Sequence, residues 1–343
     1  MRSRTVTAAA FCLALGAALA LAGCDEGTIT IENNGTFQGI VGGEETGYDI
    51  YKGVVGLYYS MGATGGALCT ATVIAPQVLL TAGHCVYSPD EGIDAVSDPG
   101  ALMAIGGANL NSPGGITIYP DPVEIVTHPD WTGSIDYASV DMAMIKLEGP
   151  ISTVETYRIR PDDDFDVGQE GIIVGYGLSS SSATDSAGIH RWGATTVQNK
   201  LSHFINLGDP SGTCQGDSGG PFFTMVGEYL HVTGVTSLGM SSSCDPMSGS
   251  VDENVAQQYD WIDETMNAFM GYGLADVPHQ DPPGSDTDTD TDTDTDADTD
   301  ADTDADTDAD GGSDGGSDDG GDEGCGCRAA GALPSRSLLG SLL

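Results

Sequence analysis

Basic residues are scarce in this chain: 10 Lys and Arg stand against 52 Asp and Glu, a formal net charge of −42. A field of that sign repels nucleic acid and anionic head groups, so neither is expected as a partner of the exposed surface. More than a third of the acids lie beyond His279 in a Thr/Asp/Ala run. Between Ile40 and Asp276 the acids still outnumber Lys52, Lys146, Arg158, Arg160, Arg191 and Lys200. Aromatics make up only 6% of the residues. Zinc-type spacings, phosphate loops and dinucleotide fingerprints are all missing, so no metal and no cofactor is expected.

Long apolar runs are also lacking after the first two dozen residues. That leader carries Arg2 and Arg4 and an Ala-rich stretch to Ala22, short for a membrane span, and reads as an export signal over residues 1–23. It ends in Leu21-Ala22-Gly23-Cys24, which resembles the bacterial lipobox and makes Cys24 the expected lipidation site. Residues 24–39 then read as a tether and pro-segment. The Thr/Asp and Ala/Asp dipeptides within 277–323 repel one another and cannot bury a core, so they read as an extended linker. Residues 324–343 open on Gly324-Cys325-Gly326-Cys327, a partial match to the Gly-Cys-Gly-Cys anchoring signal of myxobacterial surface proteins. Their apolar end is shorter than a membrane span.

Glycine is what the chain has in quantity, 50 residues. Short Val/Ile/Leu-rich runs lie between Gly/Ser/Asn/Asp clusters and indicate an all-β body. One group of runs covers Val54–Tyr59, Ala71–Leu80, Leu102–Ile105, Ile116–Tyr119, Val123–Val126 and Met142–Leu147. A second covers Gly171–Gly175, Ala194–Val197, Pro221–Val226 and Tyr229–Thr236. Two groups of about six strands suggest two closed sheets. Val255–Met270 alone has apolar residues at helical spacing, and predicts a helix packed on the second sheet. Four internal cysteines, Cys69, Cys85, Cys214 and Cys244, behind an export signal fit disulfides, with three pairings open.

The chemistry concentrates in Gly216-Asp217-Ser218-Gly219-Gly220-Pro221. A serine hydroxyl is a weak nucleophile unless a base takes its proton and a third group holds that base in the right tautomer. Upstream, Thr81-Ala82-Gly83-His84-Cys85 supplies a histidine, and Asp141 opens the strand-like run Asp141–Leu147. The order His, Asp, Ser is distinct from those of the α/β-hydrolases and subtilisins. With Ile40-Val41-Gly42-Gly43, these motifs resemble the trypsin/chymotrypsin family of serine proteases over roughly Ile40–Met270, and 40–276 is the expected protease domain.

The resemblance implies two six-stranded antiparallel barrels with the active site in the cleft between them and a short C-terminal helix. It implies His84 as base, Asp141 as its orienting acid, Ser218 as nucleophile, and an oxyanion hole from the N–H groups of Gly216 and Ser218. It pairs Cys69 with Cys85 and Cys214 with Cys244, and has Ser237 support Asp141. It also implies a zymogen: cutting before Ile40 frees an α-amine that pairs with Asp217, so activity should fall as that amine loses its proton at alkaline pH. Gly39 precedes the cut, so an activating protease that accepts small residues is expected. Gly212 stands where basic-specific relatives carry an aspartate, and Gly239 and Gly249 match pocket walls beside Ser237. An apolar or small P1 residue is therefore expected, unless Asp245 or Asp252 points into the pocket. Gly106-Gly107-Ala108-Asn109 lacks the acid that would start a calcium loop. His128, His190, His203, His231 and His279 read as surface or structural residues.

These features together predict a monomeric, exported endopeptidase acting on protein or peptide substrates, held at the cell envelope by lipid or released. The rival reading is a catalytically silent, protease-like binding module. An esterase would share the acyl-transfer machinery and differ only in substrate.

Overall fold

In the computed structural model, residues 40–279 are described, apart from 63, 64, 113, 137, 184 and 242. The expected signal, the tether with Cys24, and the linker and anchor segments beyond 279 lie outside the described residues. Strands in the first half are β1 Glu44–Glu45, β2 Val54–Ser60, β3 Gly66–Ala75, β4 Val78–Thr81, β5 Tyr87–Ser88, β6 Ile93–Asp94, β7 Leu102–Gly106, β8 Thr117–Ile118, β9 Pro122–Thr127 and β10 Ala143–Leu147. The second half has β11 Arg158–Ile159, β12 Glu170–Gly175, β13 Arg191–Leu201, β14 Phe204–Gly208, β15 Pro221–Val226, β16 Tyr229–Gly239, β17 Ser250–Asn254 and a helix, α1 Tyr259–Met270.

Two sheets result. The second runs β13-β12-β15-β16-β17-β14, and β14 returns to β13, which closes a six-stranded barrel. The first runs β8-β7-β2-β3-β4-β10-β9 and is a half-barrel whose end strands do not pair. The run Ala71–Leu80, read as one element, divides into β3 and β4, which pair antiparallel about Pro76-Gln77. A continuous apolar run cannot reveal such a hairpin, because strands buried on both faces have no alternation to mark their ends. All four residues of β4 are buried.

Side-chain alternation divides the core. Phe222 joins Ile40, Phe165, Ile173, Val197, Ile205 and Leu207 in one cluster, while its neighbour Phe223 joins the larger cluster of Val54, Leu79, Met144, Val235 and the helix residues Ile262 and Met266. The helix is preceded by a 3-10 turn, Val255–Gln258, capped by Asn254 through the N–H of Ala256. The expected segment Val255–Met270 divides: its 3-10 turn packs against β16 of the second sheet as expected, while α1 packs against β10 of the first. Lys146 of β10 lies 6.0 Å over the Phe269 ring, and Trp261 meets His128 edge-on at 4.9 Å. The helix thus ties the second half of the chain to the first. Helical spacing gives the apolar face of a helix but not the partner that covers it.

Candidate active site

Pairing of β10 with β4 is antiparallel, with Ala143 opposite Thr81. The end of β4 and the start of β10 therefore fall at the same edge of the sheet. His84 follows β4 in the 3-10 turn Gly83–Cys85, and Asp141 immediately precedes β10. Gly83 is held to glycine by a neighbour, because a Cβ there would lie 2.9 Å from the Trp131 ring.

Asp141 is 1% exposed and its carboxylate is fully engaged. Oδ2 meets His84 Nδ1 at 2.7 Å and accepts from the Ser237 hydroxyl at 2.6 Å, while Oδ1 accepts from the His84 main-chain N–H at 2.8 Å. Burial opposes protonation of His84, but the charge of Asp141 and its hydrogen bond outweigh it and hold the imidazole above the usual histidine value. Ser237 thus bears on the aspartate itself.

Ser218 lies just before β15, and its main chain reaches the turn that carries His84. Its carbonyl accepts from Thr70 N–H at 2.8 Å and lies 3.5 Å from Cys85 Sγ. The next residue, Gly219, donates to Thr236 O at 2.7 Å, which ties the serine turn to β16 beside Ser237. Side-chain and main-chain bonds join His84 to Asp141, and the Ser218 carbonyl meets Thr70 of β3 and Cys85 of the His84 turn. Both internal disulfides are present, Cys69–Cys85 and Cys214–Cys244. The first links β3 to the His84 turn, and the second links the Ser218 segment to the loop after β16.

Gly216 has φ +98°, and a Cβ there would sit 2.9 Å from Gly177 Cα, so only glycine fits this turn. Thr70 Oγ1 donates to the Gly216 carbonyl at 2.8 Å, which fixes the orientation of that peptide. Asp217 is buried; its two oxygens accept from Gly177 N at 2.7 Å and Cys214 N at 2.9 Å. Burial pushes its pKa up to about 7, against those two bonds and the nearby charge of Arg191. Ile40 is fully buried inside the second barrel, and Val41 bridges to Gly212.

Around the expected pocket, Gly239 pairs with Ser250, and Gly212 is closed in by Pro246, whose Cα would lie 2.9 Å from a Cβ. Gly249 has φ +76°, and an added Cβ would strike the Leu207 carbonyl. Its glycine is therefore explained by backbone conformation and close packing. Asp245 is exposed and caps a 3-10 turn, accepting from Met247 N at 3.0 Å. Asp252 is fully buried, with the Thr236 hydroxyl at 3.3 Å and the Ser250 hydroxyl at 3.4 Å, and burial pushes it up to about 7. Among the histidines other than His84, His128, His190 and His231 are buried and His203 and His279 are partly so.

Two residues of the site carried no signal in the sequence. Thr70 binds both the Ser218 carbonyl and the Gly216 carbonyl. Glu253, fully buried on β17, accepts the Asp141 main-chain N–H through Oε1 at 2.8 Å. The segment around it matches the family motifs poorly, and its place beside Asp141 depends on pairing with distant strands.

Comparison with known proteins bears on the family. The family model Trypsin matches residues 40–262. Chymotrypsin-like elastase family member 1 of Macaca fascicularis is 26% identical over 249 residues, 66% of this chain and 89% of the relative. The Homo sapiens protein of that name is 26% identical over 250 residues, 66% of this chain and 92% of its own. The urokinase-type plasminogen activator of Gallus gallus is 26% identical over 255 residues, 67% of this chain and 58% of the relative. The chain belongs to the trypsin family of serine proteases.

Proposed function

We propose that this protein is an exported serine endopeptidase that cleaves protein substrates through an acyl-enzyme on Ser218. The observation that carries the reading is the fully bonded Asp141 carboxylate, which holds His84 by Nδ1 and its main-chain N–H and so turns Nε2 away from the aspartate. In the first step His84 Nε2 takes the Ser218 hydroxyl proton as Oγ bonds to the substrate carbonyl carbon. The carbonyl oxygen gains negative charge, and the N–H groups of Gly216 and Ser218 receive it. The imidazolium then gives its proton to the leaving amine as the peptide C–N bond breaks. Water, deprotonated by the same imidazole, releases the acyl group and restores the hydroxyl.

Activation follows from cleavage before Ile40. The acid at Asp217 is buried and holds two loop N–H groups, and a new α-ammonium reaching it would give it a counter-charge while leaving the Gly216 turn in place. The cut after Gly39 favours an activating enzyme that accepts small residues. A small or apolar P1 residue fits best, because Gly212 carries no charge and Asp245 is spent on a surface cap. Attachment to the cell envelope through Cys24, and a monomeric state, complete the reading.

The test is intact-mass analysis of the purified protein before and after a fluorophosphonate serine probe. One adduct is expected on the form beginning at Ile40, and none on the Ser218→Ala variant. An Ile40 form that takes no adduct, while Ser218→Ala keeps the protein's biological effect, would establish the binding-module reading instead.

A further inference from the structure

We infer that Glu253 is a positioning residue of the triad, whose carboxyl anchors the main chain of Asp141 from behind and so fixes where that acid meets His84. This rests on the triad reading proposed above. Strand β17 lies between β16 and β14, with Glu253 opposite Val235 on one side and Phe204 on the other. Alternation sends the neighbouring Asp252 to the opposite face of the strand, toward Thr236 and Ser250, and turns Glu253 to the triad. The contact is specific: Oε1 takes the Asp141 N–H at 2.8 Å, one residue away from every bond that orients the imidazole.

The other oxygen, Oε2, is buried and has no hydrogen-bond partner. An ionised carboxylate with one oxygen bare in the interior is heavily penalised, and an unpaired carboxylic O–H costs less than an unpaired charge. The charges acting on Glu253 deepen that preference, since Asp141 and Asp252 are both acids. Ahead of β14, His203 turns its Nε2 to the Ser139 carbonyl at 3.2 Å, and its own carbonyl takes the Asn254 N–H. Burial, set against the Asp141 hydrogen bond, pushes Glu253 up to about 8. Below about pH 8 Glu253 is therefore a neutral acceptor and adds no second negative charge behind Asp141.

Glu253→Gln keeps the acceptor and the neutrality; Glu253→Met keeps the volume and removes the acceptor. Both are compared with the parent protein by the NMR titration of His84, by the resonance of its Nδ1 proton, and by kcat and KM on one peptide substrate. The Gln form should keep kcat within about threefold and the His84 titration within a few tenths of a pH unit. The Met form should lose roughly tenfold or more in kcat with KM little changed, and shift the Nδ1 proton. A Met form with unchanged kcat and Nδ1 proton overturns the proposal. So does a Gln form whose His84 titrates about one unit lower, which would mean that a charge had been removed. Because the Nδ1 proton is read without turnover, a parent protein that takes no fluorophosphonate would sink the enzyme reading and leave this test intact.

Discussion

At the scale of single residues, the chemistry was legible wherever a residue type at a fixed offset has few other uses, as with Ser218 between Asp217 and Gly219. Gly216 shows how far such an offset carries. Its glycine was expected from the oxyanion hole, and the structure supplies the reason in its φ of +98° and the 2.9 Å approach of Gly177. Gly216→Ala should therefore keep the fold but turn the peptide that bears the proposed oxyanion N–H. A loss of about 10²-fold in kcat is expected, as for removal of one oxyanion donor, with KM little changed. Steady-state kinetics beside a thermal melt would check it; wild-type kcat would mean that the N–H groups lie elsewhere. Glu253 was illegible by contrast, because nothing local distinguishes it from the buried Asp252 before it. Only the register against Val235 and Phe204 decides which of the two faces the triad.

At the scale of elements, several strands were found within a residue or two, whereas β13 extends three and four residues past the expected Ala194–Val197, and β14 was missed although it holds Phe204, Ile205 and Leu207. Strand β17, Ser250–Asn254, holds one apolar residue among five and is buried throughout. Its polar side chains find partners in Asp141, Thr236 and Asp163, so burial does not require apolarity there. The His84 turn is likewise held by cross-links as much as by packing. Cys69–Cys85 joins it to β3 across 16 residues, and closing a loop of that length is worth about 3 kcal/mol in the chain-entropy account. Replacing both cysteines with alanine should lower the Tm by roughly 6–12 °C, given the usual 2–4 °C per kcal/mol for a domain of this size. Calorimetry on the double variant decides this, and an unchanged Tm would mean that the turn is held without the bridge.

At the scale of the whole molecule, the surplus of acid reaches the interior. Asp217, Asp252 and Glu253 are all buried and shifted upward, to about 7, 7 and 8. Each would ionise near pH 4 in the unfolded chain. From there up to the folded values the native state holds more protons than the unfolded one, so stability falls as pH rises through this interval. Buried His190 and His231 act in the other direction. Their folded values are lowered to about 3 and 4, chiefly by burial, so their stabilisation is present above about pH 6.5 and is lost as pH falls. The two slopes oppose one another between pH 4 and 6.5 and nothing offsets the acids above it. The Tm should be nearly level across the lower interval and decline from pH 6.5 to 8.5. Measuring at about 0.5 M salt screens the long-range repulsion of the charged surface, so a decline that persists belongs to the buried groups. Asp252→Asn combined with Glu253→Gln should flatten most of it. Cleavage before Ile40 should flatten a further part, because an α-ammonium beside Asp217 would draw that acid back toward its ordinary range. A decline equally steep in the double variant would mean that these carboxyls are ionised in the native protein, with partners yet to be found.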